Sequence, residues 1–161
     1  MASIGLRLLI KVLQLMKIFR TILDIPKSVL DVAESIKLDN YKTNHPKEFR
    51  KETVVTDDGL YLMAQLSSLT GVPVNKLDYV YFSACRGADE HVDLLDPEKF
   101  EDVTYIIPLV LPSGKSILHE DGYSTGIQVG GVYEINHTKP HSLDLEDTES
   151  GCTLIMVAIC R

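Results

Sequence analysis

The second half of this chain is cut into short pieces, and that segmentation limits what it can become. From about residue 77 onward, runs of β-branched and aromatic residues alternate with turn-forming residues. Residues 79–84 give a strand signal, and 103–111 form a nearly continuous apolar run that carries Pro108. A proline there predicts a buried strand next to a bend or bulge, because it cannot donate to the ladder. Pro112-Ser113-Gly114 reads as a turn. Residues 115–119 and 132–135 alternate in polarity as half-buried strands do, the glycine-bounded stretch 126–131 turns the chain between them, and 154–160 is a final buried strand. Many short strands with turns at intervals predict a sandwich or barrel.

The first half has a different period. In residues 1–25, Ser3, Arg7, Lys11, Gln14, Lys17, Thr21 and Asp24 recur every three or four positions, which predicts a helix with one narrow polar stripe. Packed on the barrel, it would be a supporting helix; otherwise its basic anchors suit a membrane surface or an oligomer contact. Arg7, Lys11, Lys17 and Arg20 interrupt the apolar stretch too often for a bilayer span or a signal peptide. Met16 is a second candidate start. Pro26 should end this helix, and Val29, Val32, Ala33, Ile36 and Leu38 predict a second one. Residues 40–51 are polar and read as a loop. A third helix starts at Asp57-Asp58-Gly59, continues through Leu60, Met63, Ala64 and Leu66, and stops at Gly71 and Pro73. A chain of 161 residues favours one domain: a mainly helical support over 1–75 and a β core over 77–161.

Net charge is −7, which gives no general basic face for nucleic acid. The acidic stretches 96–102 and 144–149 read as solvated loops. Three cysteines, Cys85, Cys152 and Cys160, without a framework spacing, argue for a reduced cytoplasmic protein. In that compartment the Asn136-His137-Thr138 sequon has no consequence.

Two separated elements carry chemistry. In Gly87-Ala88-Asp89-Glu90-His91-Val92-Asp93, at a strand end, His91 and Asp93 lie two apart and so share a face. In residues 131–141 a glycine turn and a strand lead to His141. Two imidazoles and one carboxylate form the facial set that holds Fe(II) and leaves positions open for substrate and oxygen. Taken alone, His91 and Asp93 would be a surface turn pair and His141 a loop histidine. The order of strands around them is what favours a site. A rival set joins His137 and His141, with His119, as a three-histidine metal site of the cupin kind.

The stretches CRGADEHVD at 85–93, YIIPLVLPSG at 105–114 and GGVYEINHTKPHSL at 130–143 resemble the Fe(II)/2-oxoglutarate-dependent oxygenases, most closely the aspartyl/asparaginyl and prolyl hydroxylase branches. The resemblance covers roughly the second half of the chain. It implies a double-stranded β-helix, a jelly-roll or cupin-like barrel with supporting N-terminal helices. It also implies His91 and Asp93 as proximal ligands, His141 as the distal one, and a hydroxylation coupled to decarboxylation of 2-oxoglutarate. In that family the far carboxylate of 2-oxoglutarate meets an arginine about ten residues past the distal histidine. Here Thr153 takes that place, and Arg161 stands at the far end of the strand. A buried carboxylate without a cation is costly. Either Arg86, Lys115 or Lys139 supplies the charge, with Tyr105 as a neutral donor favoured over Lys115, or 2-oxoglutarate is not the cosubstrate.

Three functions follow: a 2-oxoglutarate-dependent hydroxylase acting on a small molecule or peptide, a cupin-type metal enzyme that does not use 2-oxoglutarate, and an inert barrel that has lost the cosubstrate site.

Overall fold

The computed structural model describes residues 16–40, 47–50 and 57–161. The chain runs β1 (Lys17–Phe19), α1 (Lys27–Asn40), β2 (Lys47–Arg50), α2 (Asp57–Thr70) and a 3-10 turn (Val74–Lys76). The β core follows as β3 (Leu77–Cys85), β4 (Ala88–His91), β5 (Phe100–Val110), β6 (Ser116–Glu120), β7 (Tyr123–Gly126), β8 (Val132–Asn136), β9 (His141–Leu145) and β10 (Cys152–Cys160). Among the described residues, no helix is long and apolar enough to cross a membrane.

The strands form two antiparallel sheets. The larger has the order β1-β8-β5-β10-β3-β2 and the smaller β4-β9-β6-β7. They are separate hydrogen-bonded sheets, and the described strands do not close into a single barrel. Consecutive strands repeatedly switch sheets, so the chain winds as a jelly roll. Hydrophobic residues fill two layers. Between the sheets lie Ile106, Leu118, Leu143, Leu154 and Met156. Outside the larger sheet, Ile107, Ile155 and Val157 pack under the two helices. Strand geometry explains the division: successive side chains leave opposite faces, so β10 sends Cys152, Leu154 and Met156 inward and Ile155, Val157 and Ile159 to the helices.

Each helix covers the sheet with a stripe set by the 3.6-residue period. In α1 these are Val29, Ala33 and Ile36; in α2, Leu62, Met63 and Leu66. Asp57 and Asp58 occupy the first turn of α2, where negative charge complements the helix dipole. Asp58 also accepts a hydrogen bond from Ser28 Oγ at 2.6 Å, which ties the two helix starts together.

The structure departs from expectation at several elements. Residues 1–15 of the first predicted helix lie outside the described residues. Lys17–Phe19, which that helix was expected to include, is instead an edge strand on β8, with Ile18 opposite Tyr133. The ladder edge of β8 decides the local conformation, and pairing outweighs an amphipathic helical pattern. The predicted loop over 40–51 contains β2, which extends the sheet beside β3. Strands β7 and β9 were not expected either. Pro108 sits within β5 beyond its pairing with β8, and the β5–β10 register shifts there, so no ladder donor is lost.

Candidate metal centre

Local backbone chemistry aims the first ligand. Gly87 links β3 to β4 with φ +109, and an added Cβ would stand 3.0 Å from the carbonyl oxygen of Leu143. Only glycine makes that close turn without strain. Strand β4 then pairs with β9, and His91 falls directly opposite His141. Cross-strand partners share a face, so both imidazoles point the same way, with ring centroids 4.4 Å apart. Just past β4, the N–H of Asp93 donates to the carbonyl of His137 at 2.9 Å, which returns the carboxylate to the same point.

The three groups converge. Asp93 Oδ1 lies 3.4 Å from His91 Nε2, and Asp93 Oδ2 lies 3.4 Å from His141 Nε2. One ligand atom from each falls within 4.8 Å of the other two. The other nitrogen of each ring is held by a main-chain carbonyl: His91 Nδ1 by Asp89 at 2.6 Å, and His141 Nδ1 by Lys139 at 2.9 Å. A carbonyl only accepts, so each Nδ1 carries the proton and each Nε2 presents its lone pair to the centre. His141 Nε2 is buried and has no hydrogen-bond partner among the described residues. A lone pair left in that state is costly unless something binds it. The donor set, its tautomers and this orphaned nitrogen fit a divalent metal of the Fe(II) kind.

A cavity of about 30 Å³ lies against the centre between the sheets. His91 and His141 form part of its wall, with Ile106, Leu118, Leu154 and Met156 around them and the Ser83 hydroxyl as a polar group. The Ser83 oxygen is buried without a hydrogen-bond partner among the described residues.

The residues expected to hold a cosubstrate are not gathered here. Tyr105 and Thr153 face the helices, on the other side of the larger sheet. Tyr105 packs edge-on to Phe19, and Thr153 Oγ1 donates to the Ala33 carbonyl at 3.2 Å. Burial first, then the Glu134 carboxylate beside it, pushes the Tyr105 hydroxyl up to about 12. Strand parity is the reason, since both side chains leave their strands opposite to the residues that line the cavity. Arg86 and Lys115 are exposed, and the Lys115 amide donates to Glu146. Lys139 lies in the turn before β9 and contributes its carbonyl to His141. Arg161 donates to the Pro97 carbonyl and pairs with Glu101.

The three-histidine alternative is corrected. His119 points outward from β6, in contact with Ser124 and with Asp144 at 2.8 Å. His137 is buried, but its Nε2 donates to the Glu101 carbonyl at 2.7 Å, and its backbone supports Asp93.

Glu120 was not anticipated. It pairs across β6–β9 with His141, on the same inner face. One carboxylate oxygen accepts the Asn136 N–H at 3.0 Å, and the other is buried without a hydrogen-bond partner among the described residues. Burial raises its carboxyl above the usual range, an effect opposed by the Asn136 N–H. The signal was present in the alternation of β6, which puts Ser116, Leu118 and Glu120 on one buried face.

No family model matches the sequence, and no curated protein matches it. Solved structures do. A prolyl-4-hydroxylase from Pseudomonas putida superposes with a TM-score of 0.58 at 12% identity, over 91% of this chain and 92% of that one. A salicylate 1,2-dioxygenase from Pseudoaminobacter salicylatoxidans, in complex with gentisate, gives 0.48 at 13% identity, over 83% of this chain and 32% of that one. The chain therefore has a jelly-roll fold, the fold of that prolyl-4-hydroxylase, with a His-Asp-His group able to hold a metal ion.

Proposed function

We propose that this chain is a mononuclear Fe(II)-dependent oxygenase, with the metal held by His91, Asp93 and His141. One observation carries the reading: two imidazole Nε2 atoms and a single carboxylate converge on one point of the β core, one nitrogen buried without a hydrogen-bond partner among the described residues. Bound there, Fe(II) would supply the activation of dioxygen for oxidation of an organic substrate. The chain's own residues do the rest. The carbonyls of Asp89 and Lys139 fix the ring orientation, the His137 carbonyl fixes Asp93, and the apolar wall keeps water from the reacting side. Asp93 between two neutral rings leaves a divalent centre one net positive charge.

The family resemblance makes 2-oxoglutarate the first candidate cosubstrate, and the fold of a prolyl-4-hydroxylase suits it. A second reading, an oxygenase of this fold that does not use 2-oxoglutarate, is favoured by the cavity. No lysine or arginine among the described residues lines it. The substrate in either case is a small molecule or a peptide side chain. The buried thiols of Cys85 and Cys152, 3.5 Å apart, suit a reducing cytoplasm. The test is anaerobic titration of metal-free protein with Fe(II), followed by oxygen consumption with and without 2-oxoglutarate. Fe(II) binding that is lost in His141→Ala supports the centre. Absence of Fe(II) binding in the wild-type protein selects the inert barrel.

A further inference from the structure

We propose that the cavity beside the metal centre takes a small monoanionic chelator with an uncharged, apolar tail, and discriminates against one with a second carboxylate. The inference rests on the metal centre proposed above and deepens the second reading, the oxygenase that does not use 2-oxoglutarate.

Charge is the first argument. A divalent ion with one carboxylate ligand carries one net positive charge, and one carboxylate from the ligand neutralises it. A three-ligand set leaves room for a carboxylate and a neighbouring oxygen on the same molecule. A second carboxylate would have to enter the space between the sheets. There it would meet Leu118, Leu154, Ile106 and Met156, and no cationic side chain among the described residues. An unpaired charge in such surroundings is strongly disfavoured, whereas a methyl group gains by leaving water.

Size and polarity are the second. The cavity is about 30 Å³, room for two to three water-sized groups at roughly 10–15 Å³ each. That suits a tail of about three carbons. Ser83 Oγ, buried and without a hydrogen-bond partner among the described residues, can serve one neutral acceptor or donor on the ligand, but a hydroxyl cannot neutralise a carboxylate. Tyr105 and Thr153, which would have served a longer dianionic ligand, are on the far side of the sheet.

Two probes isolate the tail. 2-Oxopentanoate is 2-oxoglutarate with a methyl group in place of the far carboxylate, so the chelating heads are identical. The full chain is loaded anaerobically with Mn(II), whose binding is measured first by calorimetry, and each probe is then titrated. We expect 2-oxopentanoate to bind at least about tenfold more tightly than 2-oxoglutarate. We also expect Met156→Lys, which puts an ammonium in the cavity wall, to reverse that order. Equal or tighter binding of 2-oxoglutarate by the wild-type protein overturns the inference while leaving the metal centre intact, as does binding of neither probe. Failure of Mn(II) itself to bind overturns the functional reading and this inference together. Should Met156→Lys fail to fold, as judged by circular dichroism, the wild-type comparison decides alone.

Discussion

Replacing Asp93 by Asn tests the centre with a minimal change of shape. The carboxylate is the one formally charged ligand of the three, and its two oxygens each lie 3.4 Å from an imidazole nitrogen. The amide keeps the volume and removes the charge. For wild type, a metal at about 100 times its Kd stabilises the folded state by ~2.7 kcal/mol. A chain of 161 residues gains ~2–4 °C per kcal/mol, so the melting temperature should rise by about 5–11 °C with Mn(II). At an effective dielectric constant near 20, unit charges about 4 Å apart interact by ~4 kcal/mol, and a divalent ion doubles that before desolvation is subtracted. Losing even ~3 kcal/mol of it weakens binding by more than about 100-fold. At the same Mn(II) concentration the stabilisation then falls below ~0.4 kcal/mol, a shift of about 1 °C. Differential scanning fluorimetry measures each protein against its own metal-free form, so any effect of the substitution on folding cancels. An Asp93→Asn shift within about 2 °C of the wild-type shift would refute the assignment of this carboxylate as a ligand.

Other positions make separate demands. Thr153→Val should leave Mn(II) and keto-acid binding unchanged by calorimetry, because the hydroxyl serves the Ala33 carbonyl and not the cavity; urea unfolding should show a loss of ~1 kcal/mol. Burial holds the Tyr105 hydroxyl up at about 12, above its ordinary value of 10.0. The unfolded chain therefore releases this proton first, and the stability associated with it, complete below pH 10, falls as pH rises toward 12, by ~1–3 kcal/mol. Denaturant melts across that range should find Tyr105→Phe losing less stability than wild type; a parallel decline would sink the argument. Gly130 has φ +79, and a Cβ there would stand 2.9 Å from Ile22 Cγ2 and 3.0 Å from the Leu23 carbonyl oxygen. Gly130→Ala should cost roughly 1–3 kcal/mol in urea unfolding.

The sequence alone determined a good deal. Period and turn chemistry placed the helices α1 and α2 and the strands β3, β5, β6, β8 and β10, because these depend on residues near one another in the chain. The trio His91, Asp93 and His141 was legible as a set, since a two-residue spacing puts the first pair on one face and strand order suggested the third. What the sequence could not show was which face of each strand looks at which neighbour. Alternation says that Thr153 and Ile155 share a side of β10; only the docking of α1 makes that side the helix face. The same uncertainty hid Glu120, whose meaning depends on lying opposite His141 across a strand that was not anticipated. Lys17–Phe19 shows it most plainly: a helical pattern became a strand because β8 offered it an open ladder. Periodicity is a local property of a chain, whereas the partner of a face is a long-range one, decided when the sheets close over a shared apolar layer.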